Sequence, residues 1–250
     1  MSKCKFEDAF CSKSGRIIDI AEVSDLYASN PAEYKKISDN LYCPECKKAK
    51  LSFVNGSTKY FRTFKGSLHN ENCSLIQDLM NVKQTTDFIR NTENRDAILR
   101  QITSALTMLF NDNSKKAIKK TNVTELDETQ TITGVSTNYK KRKRIARKRI
   151  DLPFSDEDFN APKIFYGKVC ALWEKENNKY KLLLYSLKTK RLLCKIFVTE
   201  KVYQYIPEKY KLEKSFKCGI SFLANFQKRV ETYHITNLGH SDYIKIDLIY

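Results

Sequence analysis

The chain lacks the marks of several protein classes. It has no Gly-rich phosphate loop, no nucleophile elbow and no H-E-x-x-H pair, which removes the common nucleotide-cradling, serine-hydrolase and zinc-protease signatures together. No run of apolar residues approaches bilayer length, and Met1–Phe10 is polar with no apolar leader core, so the expectation is a cytoplasmic protein with no membrane partner. Eight cysteines occur in a chain of 250 residues that is neither small nor equipped for export, which points to reduced thiols and a metal over a disulfide framework. Charge of one sign is also short: 29 Asp and Glu face 45 Lys and Arg, a formal net charge of +16.

What is present is enough for a folded protein. Hydrophobic residues make up 41% and aromatics 12%, and the length suits two smaller cores better than one large one. The positive charge is uneven: residues 1–74 carry a net +3, residues 75–138 are neutral, and residues 139–250 carry +13. A localised cationic excess attracts polyanions by counterion release, which favours nucleic acid as the partner.

The stretch LYCPECKKAKLSFVNGSTKYFRTFKGSLHNENC, residues 41–73, is the most informative. Cys43 and Cys46 have the C-x-x-C spacing of a knuckle offering two thiolates, and His69 and Cys73 stand four apart, as on one helical turn. Between them, Ala49–Val54 and Lys59–Phe64 flank Asn55-Gly56, a dipeptide suited to a tight hairpin turn. A helix over Leu68–Met80 would then carry the last two ligands. Four protein ligands leave no open position, so the expected zinc is structural. The alternative, a redox C-x-x-C, lacks its βαβ context. Cys4 and Cys11 have no further partners for a second metal.

Upstream, residues 5–24 read as two short strands around a Ser-Lys-Ser-Gly turn, and Asn30-Pro31 opens a helix within Asp25–Asp39. The segments DAFCSKSGRIIDIAEVS, LYCPEC and YFRTFKGSLHNENC resemble the N-terminal zinc-finger region of the competence protein CoiA-like family, in which a short hairpin precedes C-P-x-C and a later H-x3-C. The resemblance covers about the first third of the chain. It implies that Cys43, Cys46, His69 and Cys73 are zinc ligands and that the protein works around DNA. In that family a nuclease-like core follows the zinc region, so a metal-dependent nuclease is the alternative function. Its carboxylates would come from Glu125, Asp151, Glu174 and Glu176, but no lysine stands two residues after Glu174 and the usual nuclease triplet is not formed.

Residues 75–110 show helical periodicity, with Ile98, Ile102, Ala105 and Leu109 on one face, and are expected to pack on the zinc module. Residues 111–160 read as a polar linker. It contains the run of Lys140, Lys141, Arg142, Lys143, Arg144, Arg147, Lys148 and Arg149, a candidate phosphate clamp. From Ala161 to Tyr250 the pattern alternates: KIFYGKVCALW, KYKLLLYS and RLLCKIFVT form a meander, Glu200–Ile206 a short helix, and FKCGISFLANF and VETYHITN two more strands. Three strands, a helix and two strands is the order of an OB-like barrel. Phe165, Val169, Ala171 and Trp173 form its apolar side, while Tyr166, Lys168, Lys181, Tyr185, Lys195 and Phe197 mix cations with aromatics on the other, as in a groove for single strands. His234 and His240 have no partners at ligand spacing.

The expected fold is therefore α+β: a zinc-stapled hairpin module over 1–74, a helical middle over 75–110, and an OB-like β-barrel over 161–250. The expected function is non-catalytic binding of single-stranded DNA or RNA. A protein-binding scaffold in a DNA-processing complex is a further alternative, since OB folds serve that use as well.

Overall fold

The computed structural model describes residues 5–70, 73–76, 78–110, 143–176, 179–211, 214–227 and 234–249. Glu125, Lys140, Lys141, Arg142 and the polar stretch 111–138 lie outside the described residues. The fold is mixed α+β, and no helix among the described residues is long and apolar enough to cross a membrane.

Strands β1 (Asp8–Cys11) and β2 (Arg16–Asp19) pair antiparallel around a turn closed by Gly15, whose φ of +70° suits a residue with no side chain. Helix α1 (Ile20–Ser29) starts at once, because the Asp19 carboxylate accepts the Glu22 N–H at 2.8 Å. Ile20, a strand position by its side chain, is thereby the first residue of a helix. Helix α2 (Pro31–Ser38) begins as expected, with Asn30 accepting from Glu33 N and Pro31 in the first turn. Strand β3 (Leu41–Tyr42) returns to β1, and β4 (Leu51–Val54) pairs with β5 (Tyr60–Thr63).

Two local expectations are corrected here. The β4–β5 register pairs Val54 with Tyr60, so residues 55–59 form a longer loop, and neither Asn55 nor Gly56 takes a positive φ. Gly66, at φ +84°, makes the left-handed turn instead. No helix follows it: Leu68–Asn70 is irregular, Ser74–Ile76 is a single 3-10 turn, and Asp78–Leu79 is strand β6.

Helix α3 (Val82–Arg90) opens with a capping box between Asn81 and Gln84. Helix α4 (Arg95–Phe110) buries Ile98, Ile102, Ala105, Met108 and Leu109. These residues share a core with Phe6, Leu41, Leu51 and Phe61 of the N-terminal module, and also with Ile164, Tyr166 and Leu223 of the C-terminal sheet. The helix thus packs between the two regions as well as on the first.

After β7 (Lys143–Arg144), which pairs β6, strand β8 (Arg147–Arg149) joins the C-terminal sheet in parallel beside β9 (Lys163–Glu176). The described half of the basic run is therefore sheet, anchored by Ile145 and Ile150, which are 0% and 2% exposed. Strands β10 (Lys179–Ser186) and β11 (Leu192–Thr199) complete a meander, helix α5 (Glu200–Gln204) follows, and β12 (Phe216–Ala224) returns to pair β9. Strand β13 (His234–Asn237) lies parallel to β11, and β14 (Ile244–Leu248), not anticipated, lies antiparallel to β12. A second core fills the inner face, with Phe165, Val169, Ala171 and Trp173 inside it as alternation predicts.

Phe110 fixes where α4 meets the sheet. A β-carbon on Gly219 of β12 would lie 2.4 Å from its ring. Gly219→Ala is therefore expected to lower stability by about 1–3 kcal/mol in urea unfolding, and Phe110→Ala in the same chain should relieve part of the loss. Gly239→Ala, where nothing stands within 4 Å, should change little.

Candidate metal centre and basic sheet face

Cys43 follows β3, and the chain reverses so that Lys47 N bonds to Cys43 O and Cys43 N to Ala49 O. Lys47 takes φ +52° to close this knuckle, which brings Cys46 beside Cys43. His69 and Cys73 come from the irregular segment after β5, where Cys73 N bonds to Asn70 O at 3.0 Å. Their four-residue spacing is thus served by a turn, not by a helix.

The four ligand atoms lie within 4.8 Å of one another. Two thiolates about 2.3 Å from one tetrahedral ion stand about 3.8 Å apart, and a thiolate and an imidazole nitrogen about 3.6 Å. Cys43 Sγ and Cys73 Sγ are 3.8 Å apart, and His69 Nδ1 is 3.5 Å from both Cys46 Sγ and Cys73 Sγ. The residues can therefore hold a metal ion, and three soft thiolates with one imidazole suit a closed zinc site. Within the cluster the hydrogen bond from Cys43 draws the Cys73 thiol down to about 4, helped by His69, and the same bond pushes Cys43 up.

The surrounding residues orient this set. Thr63 Oγ1 on β5 is 3.1 Å from His69 Nε2, which leaves Nδ1 facing the sulfurs. Glu45, inside the knuckle, accepts from Ser74 N at 2.8 Å and Ser74 Oγ at 2.7 Å, which closes the two ligand pairs on each other. Arg147 of β8 reaches Ser74 Oγ at 3.1 Å and Gln101 O of α4 at 3.3 Å, with Glu45 at 3.5 Å. Neither Thr63 nor Glu45 carries a sequence signal beyond lying near the ligands.

The basic run behaves differently from the expected phosphate clamp. Arg144 is 4% exposed and Lys148 8%. Lys148 Nζ bonds to Glu7 at 2.6 Å and lies 3.5 Å from Asp158. Arg149 grips Asp151 through two nitrogens at 2.9 and 2.6 Å, bonds to Asp8 at 2.7 Å, and has Asp19 at 3.5 Å. Tyr166, expected on a stacking face, is buried and donates to Asp8 at 2.5 Å. A buried cation must be matched by carboxylates, and Lys148 and Arg149 are, whereas Arg147 has Glu45 at 3.5 Å and a buried Nε with no hydrogen-bond partner among the described residues. Burial pushes the Glu7 and Asp8 carboxyls up, against the pull of Lys148 and Arg149. Of the described run, Lys143 is the exposed member.

The remaining face residues do come together. In the β10–β11 register Lys181 stands opposite Phe197 and Leu183 opposite Lys195, and Lys181 Nζ lies 5.7 Å from the Phe197 ring centre. Tyr185 follows on the same side of β10, and Lys168 sits on the corresponding side of β9. Lys168, Lys181, Tyr185, Lys195 and Phe197 are half-buried, and Leu183 is buried. Of the nuclease candidates, Asp151 and Glu174 are described with their side chains, and they do not converge. Asp151 lies against Gly167 and is held by Arg149, whereas Glu174 is exposed seven residues further along β9, about 20 Å away at strand rise.

Thr63→Val is expected to weaken metal affinity by about 10- to 100-fold in a competition titration, and Cys43→Ser or Cys73→Ser to abolish stoichiometric zinc and lower the melting temperature. Burial opposes ionisation of Asp158, but Lys163 at 2.7 Å and the Ser155 N–H bring its carboxyl below the usual range. Its contribution is therefore full above the unfolded value of about 3.9 and fades as pH falls through the folded-state value. Asp158→Asn should cost about 1–3 kcal/mol near neutral pH, a difference that shrinks in urea unfolding below pH 4. No family model, curated protein or solved structure matches the chain, and its function rests on the residues above.

Proposed function

We propose that the chain is a non-catalytic binding protein for single-stranded nucleic acid, with a structural zinc ion at Cys43, Cys46, His69 and Cys73, and that the strand lies across the outer face of β10 and β11. The observation that carries the reading is the register that sets Lys181 beside Phe197 and Lys195 beside Leu183, with Tyr185 on the same face. Cations for phosphates interleaved with rings for bases is the composition such strands require.

The connectivity supports an OB-like barrel as the framework. Strands β9, β10 and β11 form the meander, α5 crosses, β12 returns to β9, and the last strand is broken into β13 and β14, which pair β11 and β12. The second and third strands of that fold commonly present the nucleic-acid face. A net charge of +16 and the resemblance of the zinc region to CoiA-like proteins favour the same partner. Among the described candidates, Asp151 and Glu174 are too far apart to share an ion, which favours the non-catalytic reading.

Fluorescence anisotropy against single- and double-stranded DNA and RNA, at two salt concentrations and with and without magnesium, tests this. Binding to single strands should fall with salt by about 0.7 log units per log unit of salt for each phosphate contact. Lys181→Glu with Lys195→Glu should weaken it at least tenfold. Absence of binding at low salt refutes the reading, and magnesium-dependent cleavage refutes its non-catalytic part.

A further inference from the structure

We infer that the turn at the open end of the zinc hairpin, just after β5, is a second nucleic-acid contact, in which the Phe64 ring stacks on an unpaired base and nearby cations hold the flanking phosphates. It rests on the nucleic-acid reading above and adds a separable site to it.

The charge is concentrated where a regional total hides it. Residues 47–70 carry six Lys and Arg and no Asp or Glu, although residues 1–74 together are only modestly basic. Among these, Lys48, Arg62 and Lys65 are exposed and Lys50 is half-buried. A stretch with no acid presents one sign of charge to a partner, which selects a polyanion.

This turn is also built, not loose. Phe64 N bonds to Lys50 O at 2.8 Å, Ser67 N to Phe64 O at 3.0 Å, and Lys50 N to Ser67 Oγ at 2.7 Å. Gly66 occupies the left-handed position this turn demands, and the ligand His69 follows three residues later. This rigid turn holds Phe64 51% exposed and Leu68 77% exposed. Two large apolar side chains fixed in solvent gain nothing from folding, and their ordering cost has been met before any partner arrives. Lys50 Nζ lies 5.7 Å from the Phe64 ring centre and 3.4 Å from the exposed Asp39 carboxylate, so a phosphate of a base on the ring would compete with Asp39 for the ammonium, while Lys48 and Lys65 supply further exposed cations. Phe53 and Phe61 of the same hairpin pack inward, so exposure is specific to Phe64.

The test is anisotropy with a fluorescent oligothymidylate at low salt, using the zinc-loaded full chain. Phe64→Ala should weaken binding by about 5- to 150-fold, the loss of one stacked base, while Phe64→Tyr retains it and both keep their zinc. Phe64→Trp should show indole emission quenched on binding beyond that of the parent's Trp173. Lys50→Gln with Lys65→Gln should flatten the salt dependence. Should Phe64→Ala bind like the parent while Lys181→Glu with Lys195→Glu loses affinity, the Phe64 contact is refuted and the sheet reading stands. Should Phe64→Ala instead lose capture of a protein while its oligonucleotide affinity is unchanged, the Phe64 turn serves a protein and the inference is likewise refuted. A parent chain that ignores oligonucleotides refutes both.

Discussion

The fold depends on the burial of three consecutive cations. Arg147, Lys148 and Arg149 of β8 sit between the N-terminal module and the C-terminal sheet, and each is met by carboxylates or carbonyls from a different part of the chain. Desolvating such charges is costly, and only near-complete pairing makes it tolerable. Glu7 just before the first strand and Asp8 at its start, Asp151 and Asp158 after β8, and Glu45 of the knuckle are therefore parts of one interaction. It gives the two cores a fixed relation that apolar packing alone would leave loosely specified.

Around that joint the labour divides. The Cys43, Cys46, His69 and Cys73 cluster is tied through Glu45, Ser74 and Arg147 to α4 and the sheet, so a metal held there would act as a fastening. Helix α4 covers the part of the outer sheet face nearest β12, with Phe110 seated over Gly219. On the β10–β11 side of that face Lys181, Tyr185, Lys195 and Phe197 are half-buried around Leu183, which is buried.

Legibility in the sequence followed the range of the interactions. Spacing singled out four residues that the fold brings close enough to hold a metal ion, because Cys43, Cys46, His69 and Cys73 lie within one short stretch, although a turn bonded from Cys73 to Asn70 stands where a helix is expected. Alternation gave the meander and the buried side of β9. Asn55-Gly56 misled because the local preference of a dipeptide yields to a loop whose register is set by Phe53 and Phe61 packing across the strands. The basic run misled more seriously. Nothing near residues 143–149 announces Glu7 or Asp8, and a cluster of cations has the same composition whether water or distant carboxylates surround it. Only Ile145 and Ile150, bracketing the charges, hint that the segment enters a core.

The bond from Tyr166 to Asp8 joins residues 158 positions apart, and Lys148 to Glu7 spans 141. Closing loops of that length carries an entropic cost before any contact repays it. The hairpins, α4 and the β9–β11 meander draw on local contacts and can assemble first, which makes the charged joint the late event in folding. During synthesis the first strand must therefore wait, with its two acidic side chains solvated, until most of the polypeptide has emerged.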